Sequence, residues 1–314
     1  MKLILEKAEA ATTHIRVMMF RSCSGEPLAD YTAGSHIEFD LGSAGRRSYS
    51  LVDWPGNAAR ETGLYTVAVQ REKTGAGGSQ AMHALSVGQT ITTTMPQNNF
   101  RLLDGDQPVL LLAGGIGITP MISMATQLSH DGRPFQLHYS ARSASRMGFA
   151  DSLKKAFSNA VNLYLDDSNP LDLLTLMQSQ QPDTRVYLCG PRGMIEAARR
   201  AAMDEGLSEN NIHIELFSTP DAGEGDSAFE VEISNTGQVV QVAADQSIIE
   251  ALESVGIDVM YDCQRGDCGI CQCDVISGIP DHRDVVLSDD ERASGKVMQI
   301  CVSRAKSSRL VIDV

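Results

Sequence analysis

Apolar and polar side chains alternate through the first hundred residues. Residues 15–20, 36–41 and 64–69 place apolar side chains at every second position, and glycine, asparagine and aspartate separate these segments. Such alternation is typical of strands with one buried face, and no long helical period interrupts it. The pattern predicts an antiparallel β-barrel over residues 1–103.

From residue 108 onward, strand-like and helix-like segments alternate. The apolar run at 108–113 predicts a buried parallel strand. Further strands are expected at 135–139, 161–165, 186–189 and 212–217. Because helical segments lie between them, we predict a doubly wound α/β domain over residues 104–218.

The last hundred residues begin with a break in this pattern. Residues 219–228 are small, acidic and aperiodic, so we interpret them as a linker. In the segment 229–314, a hairpin is expected at 229–242 and a helix at 247–255. A chain of 314 residues is long enough for three domains, each with its own core.

Four cysteines follow that helix with a characteristic spacing. Cys263, Cys268 and Cys271 form a C-x4-C-x2-C set, and Cys301 lies thirty residues further on. This is the plant-type [2Fe–2S] spacing, in which four thiolates hold two irons. Two glycines within the loop supply the backbone freedom that a cluster loop needs.

Three other interpretations of the cysteines are weaker. A structural zinc site normally uses two knuckles of paired cysteines, whereas here one triplet is joined by a distant cysteine. A disulfide framework fits poorly with seven cysteines and a charged N-terminal stretch that does not resemble a secretory leader. Accidental spacing is disfavoured by the flanking residues, which are Tyr261, Asp262, Gly266 and Gly269.

Two stretches of the first predicted domain could hold a phosphorylated aromatic ligand. Arg47, Tyr49 and Ser50 offer a guanidinium for phosphate, a ring for a planar face and a hydroxyl for a ring nitrogen. The glycine-rich stretch 71–79 places Ser79 at the start of a short helical patch, where free N–H groups can bind phosphate. Taken singly, the two stretches also fit an ordinary strand and a flexible hairpin loop.

Two strand-to-helix turns occur in the α/β segment. At 114–120 the sequence reads G-x-G-x-x-P from its second glycine, with Thr119 expected as the helix N-cap and Pro120 as the first helical residue. A second turn at 189–194 repeats the order strand, glycine, proline, helix. Such turns flank the crevice where open α/β sheets bind ligands, although the first departs from the full G-x-G-x-x-G fingerprint.

Composition narrows the range of partners. The formal charge of −14 disfavours nucleic acid and anionic membranes, and no apolar run reaches the length of a membrane span. We expect a cytoplasmic monomer. Residues 1–103 carry ten basic and nine acidic side chains, 104–229 nine and sixteen, and 230–314 seven and fifteen. The acidic last segment either steers docking to a basic electron acceptor or only aids solubility.

Together these motifs resemble the phthalate dioxygenase reductase and vanillate O-demethylase reductase family, with the carnitine monooxygenase reductases close by. The resemblance spans essentially the whole chain, and its marks lie at residues 47–51, 77–79, 114–120, 189–191, 263–271, 281–284 and 301–306. It implies three cofactors: FMN in the barrel, NADH in an α/β doubly wound domain, and a [2Fe–2S] cluster in a β-grasp-like α+β ferredoxin domain.

The resemblance also assigns roles by position. Ser50 would lie near the reactive flavin nitrogen, Cys189 beside the nicotinamide, and Phe217 over the flavin; these are the expected catalytic residues. The expected cofactor-binding residues are Arg47, Ser48, Tyr49, Ser50, Arg71, Gly77, Gly78, Ser79, Gly115, Gly117, Thr119, Pro120, Arg142, Gly190, Pro191 and Met194. The expected metal ligands are Cys263, Cys268, Cys271 and Cys301.

Two departures from the family pattern concern phosphate groups. Residues 73–76 replace the arginine that usually precedes the paired glycines, which places one phosphate contact in doubt. Arg142 and Arg146 could accept a 2′-phosphate or be solvated, and the family favours NADH.

The resulting hypothesis is an NADH-dependent reductase that feeds a Rieske-type terminal oxygenase. A hydride carries two electrons and the cluster accepts one, so a flavin is needed between them. No Ser/His/Asp or Cys/His catalytic set is convincing in the sequence. The alternatives are a reductase for a cytochrome or a separate ferredoxin, and a non-enzymatic ferredoxin-like carrier or sensor.

Overall fold

The computed structural model describes residues 1–56, 62–73, 75, 77–219 and 225–314. These residues form two compact units, Met1–Glu215 and Leu216–Val314. Half of the predicted linker, residues 220–224, lies outside the described residues. So do Thr74 and Ala76 of the stretch that departs from the family pattern.

The first unit begins with six strands and a short helix. They are β1 Lys2–Ala10, β2 Ile15–Ser22, β3 His36–Asp40, β4 Arg46–Ser50, β5 Tyr65–Gln70, β6 Thr90–Thr92 and α1 Gly78–Ala84. Strands β5, β2, β1 and β6 form one antiparallel sheet in that order, and β3 pairs with β4. Alternate side chains such as Leu3, Leu5, Met18 and Phe20 are fully buried because one face of each strand covers the core.

The two sheets of this region are joined by single bridges. These bridges pair His36 with Gln97, Phe39 with Thr93, and Leu51 with Val67. The antiparallel strands therefore match the sequence pattern, whereas closure into a barrel stays a prediction, because the ladders between described residues remain two separate sheets.

The rest of the first unit is a parallel α/β sheet. Its strands are β7 Val109–Gly114, β8 Phe135–Ala141, β9 Val161–Leu165, β10 Arg185–Cys189 and β11 Ile212–Glu215. Its helices are α2 Ile118–His130, α3 Ala150–Phe157, α4 Leu173–Gln178 and α5 Arg192–Asp204. The strand order is β11-β10-β7-β8-β9. From β7 the chain adds β8 and β9 on one side and then β10 and β11 on the other, so the order switches sides between β7 and β10. This switch point is where open α/β sheets bind ligands at the carboxyl ends of their strands.

Two helices begin earlier than the sequence pattern predicts. Helix α2 begins at Ile118 after a 3₁₀ turn, so Thr119 lies inside its first turn, and the Thr119 hydroxyl donates to the carbonyl of Ile116 at 3.0 Å. Helix α1 begins at Gly78, and the Ser79 hydroxyl accepts a bond from the N–H of Glu72 at 3.0 Å. In both cases a glycine turn starts the helix one or two residues earlier than a side-chain cap would.

Hydrogen bonds join the two halves of the first unit. The Ser123 hydroxyl on α2 donates to the carbonyl of Leu51 at 2.7 Å and accepts from the N–H of Asp53 at 2.9 Å. The Tyr187 hydroxyl on β10 accepts from the N–H of Leu103 at 2.9 Å. The two halves therefore form one compact unit, and the division at residue 103 stays a prediction.

The second unit is a mixed sheet with two short helices. Its elements are β12 Phe229–Ile233, β13 Val239–Val242, α6 Ile248–Ser254, β14 Gln272–Ser277, β15 Pro280–Asp281, α7 Asp289–Ser294, β16 Val297–Gln299, β17 Arg304–Ala305 and β18 Arg309–Asp313. The main sheet has the order β13-β12-β18-β14-β16, with β12 parallel to β18. Ser247 and Glu250 form a capping box at the start of α6. Within the described ranges, every helix is too short or too polar to span a bilayer.

Candidate cofactor sites

The four predicted metal ligands come together in the second unit. Cys263, Cys268 and Cys271 lie on the loop between α6 and β14, and Cys301 lies just after β16. Cys271 and Cys301 are buried, whereas Cys263 and Cys268 are half-buried. These thiols contact one another, which lowers the pKa of Cys263 and raises those of Cys268 and Cys301.

The arrangement of these thiols fits a binuclear cluster. Cys263 contacts Cys268 and Cys301, and Cys271 contacts Cys301. Among the described residues, no three Cys, His, Asp or Glu side chains converge as a site for one metal ion. A [2Fe–2S] cluster instead needs two thiolates on each of two irons, which four neighbouring thiols can supply.

The backbone of the loop is shaped for such a cluster. The N–H of Arg265 donates to Sγ of Cys263 at 3.3 Å. Gln264, Gly266 and Gly269 have positive φ values of 53°, 83° and 79°. A Cβ at Gly266 would lie 2.6 Å from Cγ2 of Val302, so glycine is required there for both backbone angle and space.

Two buried carboxylates, to which the sequence pattern gives no role, lie on the loop or beside it. Asp284 accepts from the N–H of Leu287 at 2.9 Å and from Arg292 at 3.1 Å. Asp267 accepts from the N–H of Leu216 at 2.7 Å, and burial raises its pKa to about 7. The available signal was position: Asp267 is the only carboxylate between Cys263 and Cys271, although nothing local indicates its burial.

The predicted flavin-binding residues lie together on β4. Arg47 and Ser48 are half-buried, as is Tyr49, whose ring meets the Phe39 ring edge-on at 5.7 Å. Ser50 is 5% exposed, and its hydroxyl has no hydrogen-bond partner among the described residues. A buried hydroxyl without a partner costs free energy, and a flavin ring nitrogen would satisfy it. The residues present therefore fit a flavin.

The glycine loop packs against that strand. A Cβ at Gly78 would lie 2.6 Å from Cγ of Arg47, so the absence of a side chain lets the arginine lie across the start of α1. Gly77 adopts a left-handed φ of 80°, and Arg71 is exposed. The loop and the Arg47 side chain are therefore in contact, and together they suit a phosphate.

The two strand-to-helix turns of the α/β sheet pack directly against each other. Strands β7 and β10 are neighbours, with Ala113 opposite Cys189. A Cβ at Gly117 would lie 2.2 Å from the carbonyl oxygen of Cys189, and one at Gly190 would lie 2.9 Å from Cα of Gly114. Only glycines allow this approach, so the structure brings both predicted turns to one edge of the sheet.

The remaining predicted nucleotide residues surround these turns. Cys189, Thr119 and Pro120 are buried, and Gly115 and Met194 are half-buried. Met194 lies close to the turn, since a Cβ at Gly114 would be 2.8 Å from its sulfur. Exposed residues at the same edge of the sheet are Pro191, Arg142 and Arg146. Sequence analysis assigned no role to Gly114, the first residue of the glycine run.

Phe217 is the predicted catalytic residue that lies in the second unit. Its side chain is 39% exposed, and it follows the buried Leu216 directly. Its expected position over a flavin stays a prediction.

A groove of about 500 Å³ opens elsewhere on the first unit. Its walls include Tyr31, Trp54, Thr126 and His130, and it contains none of the predicted site residues. The hydroxyl of Tyr31 donates to Asp53 at 2.6 Å, so these polar groups already satisfy each other.

Comparison with known proteins supports a [2Fe–2S] cluster in the second unit and finds relatives that match over the whole chain. Residues 231–306 match the model of the 2Fe-2S iron-sulfur cluster binding domain. The chain is 36% identical to a vanillate O-demethylase oxidoreductase of Pseudomonas sp. strain HR199, covering 100% of this chain and 99% of the relative. It is 35% identical to the heme-dependent oxidative N-demethylase beta subunit of Ectopseudomonas mendocina, covering 94% of each.

A solved structure resembles the whole chain. It is phthalate dioxygenase reductase, described as a modular structure for electron transfer from pyridine nucleotides to [2Fe-2S]. The two share 32% identity with a TM-score of 0.74, over 100% of this chain and 98% of that one.

Proposed function

The chain belongs to the family of vanillate O-demethylase oxidoreductases and phthalate dioxygenase reductase, oxidoreductase components of oxygenase systems, and from this premise we propose a specific relay. In it, the first unit takes a hydride from NADH onto FMN, and the [2Fe–2S] cluster of the second unit passes single electrons to a Rieske-type terminal oxygenase. One observation supports this relay: a single chain contains two glycine turns in close contact, a strand whose buried hydroxyl lacks a hydrogen-bond partner among the described residues, and a loop with four neighbouring thiols.

The flavin site uses β4 and the glycine loop of the first unit, which we take to be a barrel. Arg47, Gly77, Gly78 and Ser79 bind the flavin phosphate, with Arg71 and Ser48 at its edge. Tyr49 packs on the ring system, and Ser50 donates its free hydroxyl to the ring. Burial raises the pKa of Tyr49 to about 12, so its phenol stays neutral at physiological pH. When bound, FMN accepts two electrons as hydride and releases them one at a time.

The nucleotide site lies where the two turns meet. Gly115, Gly117 and Thr119 line the diphosphate, with Pro120, Pro191 and Met194 shaping its walls. Cys189 and Gly190 lie beside the nicotinamide, and Arg142 contacts the adenosine end. The close approach of Gly117 to the Cys189 carbonyl fixes the relative position of these two groups. Hydride transfer needs such orientation and no protein nucleophile.

The rim of the cluster loop suits a basic partner. Three arginines of this region form ion pairs with carboxylates inside the second unit: Arg265 with Asp267, Arg283 with Asp226, and Arg292 with Asp284. Exposed carboxylates therefore dominate the loop's surroundings; they include Asp258, Asp262, Asp289 and Asp290. The side chains of Met260, Ile270 and Val286 are also exposed there. An acceptor with an apolar patch ringed by lysine or arginine would complement this surface.

A second acceptor class has a specific observation in its favour. One relative of 35% identity is the beta subunit of a heme-dependent oxidative N-demethylase. The same chain architecture therefore occurs beside a heme partner, so a heme-containing oxygenase is the second candidate.

Reconstitution distinguishes the two acceptors. We expect the purified chain to reduce a Rieske oxygenase component with NADH, and to do so more slowly as ionic strength rises, because screening weakens an acidic docking surface. Preferential reduction of a heme component would instead establish the second candidate. Extraction of the flavin followed by mass measurement should give FMN, and size-exclusion chromatography should give a monomer.

A further inference from the structure

One hydrogen bond joins the first residue of the second unit to the cluster loop. Leu216 follows directly on Glu215, where β11 ends, and its N–H donates to Oδ2 of Asp267 at 2.7 Å. Asp267 is the residue before Cys268, one of the four loop cysteines. Leu216 is 2% exposed, and the Asp267 side chain is 5% exposed, so water does not compete for this bond.

The surroundings of Asp267 make it an unusual choice for packing alone. Nε of Arg265 lies 3.6 Å from Oδ2 of Asp267, and the Cys263 thiol also contacts this carboxylate. Burying a carboxylate costs free energy, which a single ion pair offsets only in part. An apolar side chain would avoid that cost, but it could not accept the N–H of Leu216.

We propose that Asp267 is a positioning residue for electron transfer into the cluster. It holds Leu216, and with it Phe217, on the cluster loop, so that a continuous route runs from residue 217 through one hydrogen bond to Cys268. The inference rests on the proposed function, in which the cluster takes single electrons from the reduced flavin. In each transfer the reduced flavin loses one electron and one iron of the oxidised cluster gains it. No proton moves through Asp267.

Three variants of the full-length holoprotein test the hydrogen bond between Leu216 and Asp267, which we call the anchor. Asp267→Asn keeps an acceptor oxygen in place, Asp267→Ala removes the acceptor, and Leu216→Pro removes the donor without changing the cluster loop. Asp284→Ala is the matched control, because the Asp284 side chain is also buried near the loop but accepts from the N–H of Leu287 instead of that of Leu216.

Two measurements report on the anchor and on its effect on electron transfer. Hydrogen–deuterium exchange by mass spectrometry follows the peptide that contains Leu216. Stopped-flow absorbance follows cluster reduction after NADH has reduced the flavin. We expect Asp267→Ala to speed exchange and slow cluster reduction, each by about tenfold or more, with the rate of flavin reduction unchanged. Asp267→Asn should stay near wild type in both, and Asp284→Ala should leave exchange at residue 216 unchanged.

Unchanged exchange in Asp267→Ala, or increased exchange with an unchanged rate of cluster reduction, would overturn the proposal. If Asp267→Ala loses its cluster, Leu216→Pro decides: slowed cluster reduction supports the role, and a wild-type rate rejects it. Failure of NADH to reduce the flavin of the wild-type protein would reject the proposed function instead, and the exchange result would still test the anchor independently.

Discussion

Seven cysteines occupy different chemical environments, and this difference decides which of them can bind iron. Four surround one loop and contact each other, as described for Cys263 and its neighbours. Cys273 lies on β14 and faces the core, where burial raises the pKa of its thiol to about 12. Cys23 and Cys189 lie in the first unit: Cys23 is half-buried just after β2, and Cys189 is buried at the end of β10. Only the four grouped thiols can ligate a shared cluster.

Replacement of Cys301 by alanine tests this assignment. Removing one of four ligands should reduce bound iron from about two atoms per chain to nearly none and abolish the visible absorbance of the cluster. Iron content and absorbance of the purified protein measure this. Cys273→Ala and Cys23→Ser are the controls and should keep both irons; full iron content in Cys301→Ala would refute the ligand set.

Ser50→Ala separates flavin binding from protein stability. Because the Ser50 hydroxyl is buried without a partner, its removal should leave the flavin-free protein equally stable or more stable by about 1 kcal/mol. The same change should weaken flavin binding by about tenfold, since one hydrogen bond to the ring is lost. Denaturant unfolding and flavin titration measure the two effects.

Thr184 provides the control for that experiment. Its hydroxyl is likewise buried without a partner among the described residues, but it lies next to β10, outside the predicted flavin site. Thr184→Val should match the stability change and leave flavin affinity unchanged. Equal flavin affinity in Ser50→Ala and wild type would show that Ser50 does not contact the flavin.

At the scale of secondary-structure elements, the two glycine turns leave no room for a side chain where they meet. Gly117→Ala would place a methyl group 2.2 Å from the Cys189 carbonyl oxygen, so one turn must move. We expect NADH affinity to fall by at least about tenfold, at a cost of about 1–3 kcal/mol in stability. Flavin reduction rates measured against NADH concentration report the affinity.

Gly193→Ala is the matched control for the same turn. Nothing lies within 4 Å of a Cβ at Gly193, which is in the first turn of α5. Its NADH affinity should stay at the wild-type value, and stability should be equal or slightly higher because alanine favours a helix. Similar loss of affinity in both variants would mean that steric contact between the turns is not the cause.

Strand β8 carries a buried histidine that makes the first unit sensitive to acid. Burial lowers the pKa of His138 to about 4, and its ring contacts Tyr164 and Gln136. In the unfolded chain the pKa is about 6.5, so that chain binds a proton first as pH falls. This contribution to stability is complete above about pH 6.5 and is lost as pH falls toward 4.

His138→Gln should therefore reduce the pH dependence of unfolding. Between pH 7 and pH 5 the wild-type protein should lose about 2 kcal/mol more than the variant. Denaturant unfolding at the two pH values gives this difference. An equal loss in both proteins would show that His138 does not titrate on unfolding.

The sequence predicted the positions of strands and helices better than it predicted where helices begin and which buried residues support the sites. The strands that alternate or run apolar, such as β2, β7 and β10, lie close to the expected positions because burial imposes a period. The starts of α1 and α2 differ from the prediction because each helix begins at a glycine turn, which side-chain capping rules do not detect. Strand β18 lies outside the elements that the sequence pattern predicts.

The site was predictable to the extent that its residues are contiguous. The cysteine loop and the β4 residues are local in sequence, so spacing and residue type were sufficient to select them. Asp267 was not recognisable, because its burial depends on Leu216, fifty-one positions away. The contact of Gly117 with Cys189 likewise depends on two strands becoming neighbours in the sheet.

At the scale of the whole molecule, the net charge becomes more negative along the chain, in the same order as the proposed cofactor sites. The segment 1–103 is nearly neutral, whereas 230–314 has seven basic and fifteen acidic side chains. In the proposed relay, the hydride-accepting sites therefore belong to the less charged unit, and the electron exit belongs to the acidic one. A negatively charged exit favours encounter with a basic acceptor without requiring a large permanent interface.

Anaerobic stopped-flow mixing of the holoprotein with one equivalent of NADH tests the proposed relay most directly. Flavin absorbance near 450 nm and the cluster's electron paramagnetic resonance signal are followed together. The relay predicts loss of flavin absorbance first, followed by a one-electron-reduced cluster signal in the same chain. A protein that purifies without flavin, or a cluster that stays oxidised after the flavin is reduced, would contradict it.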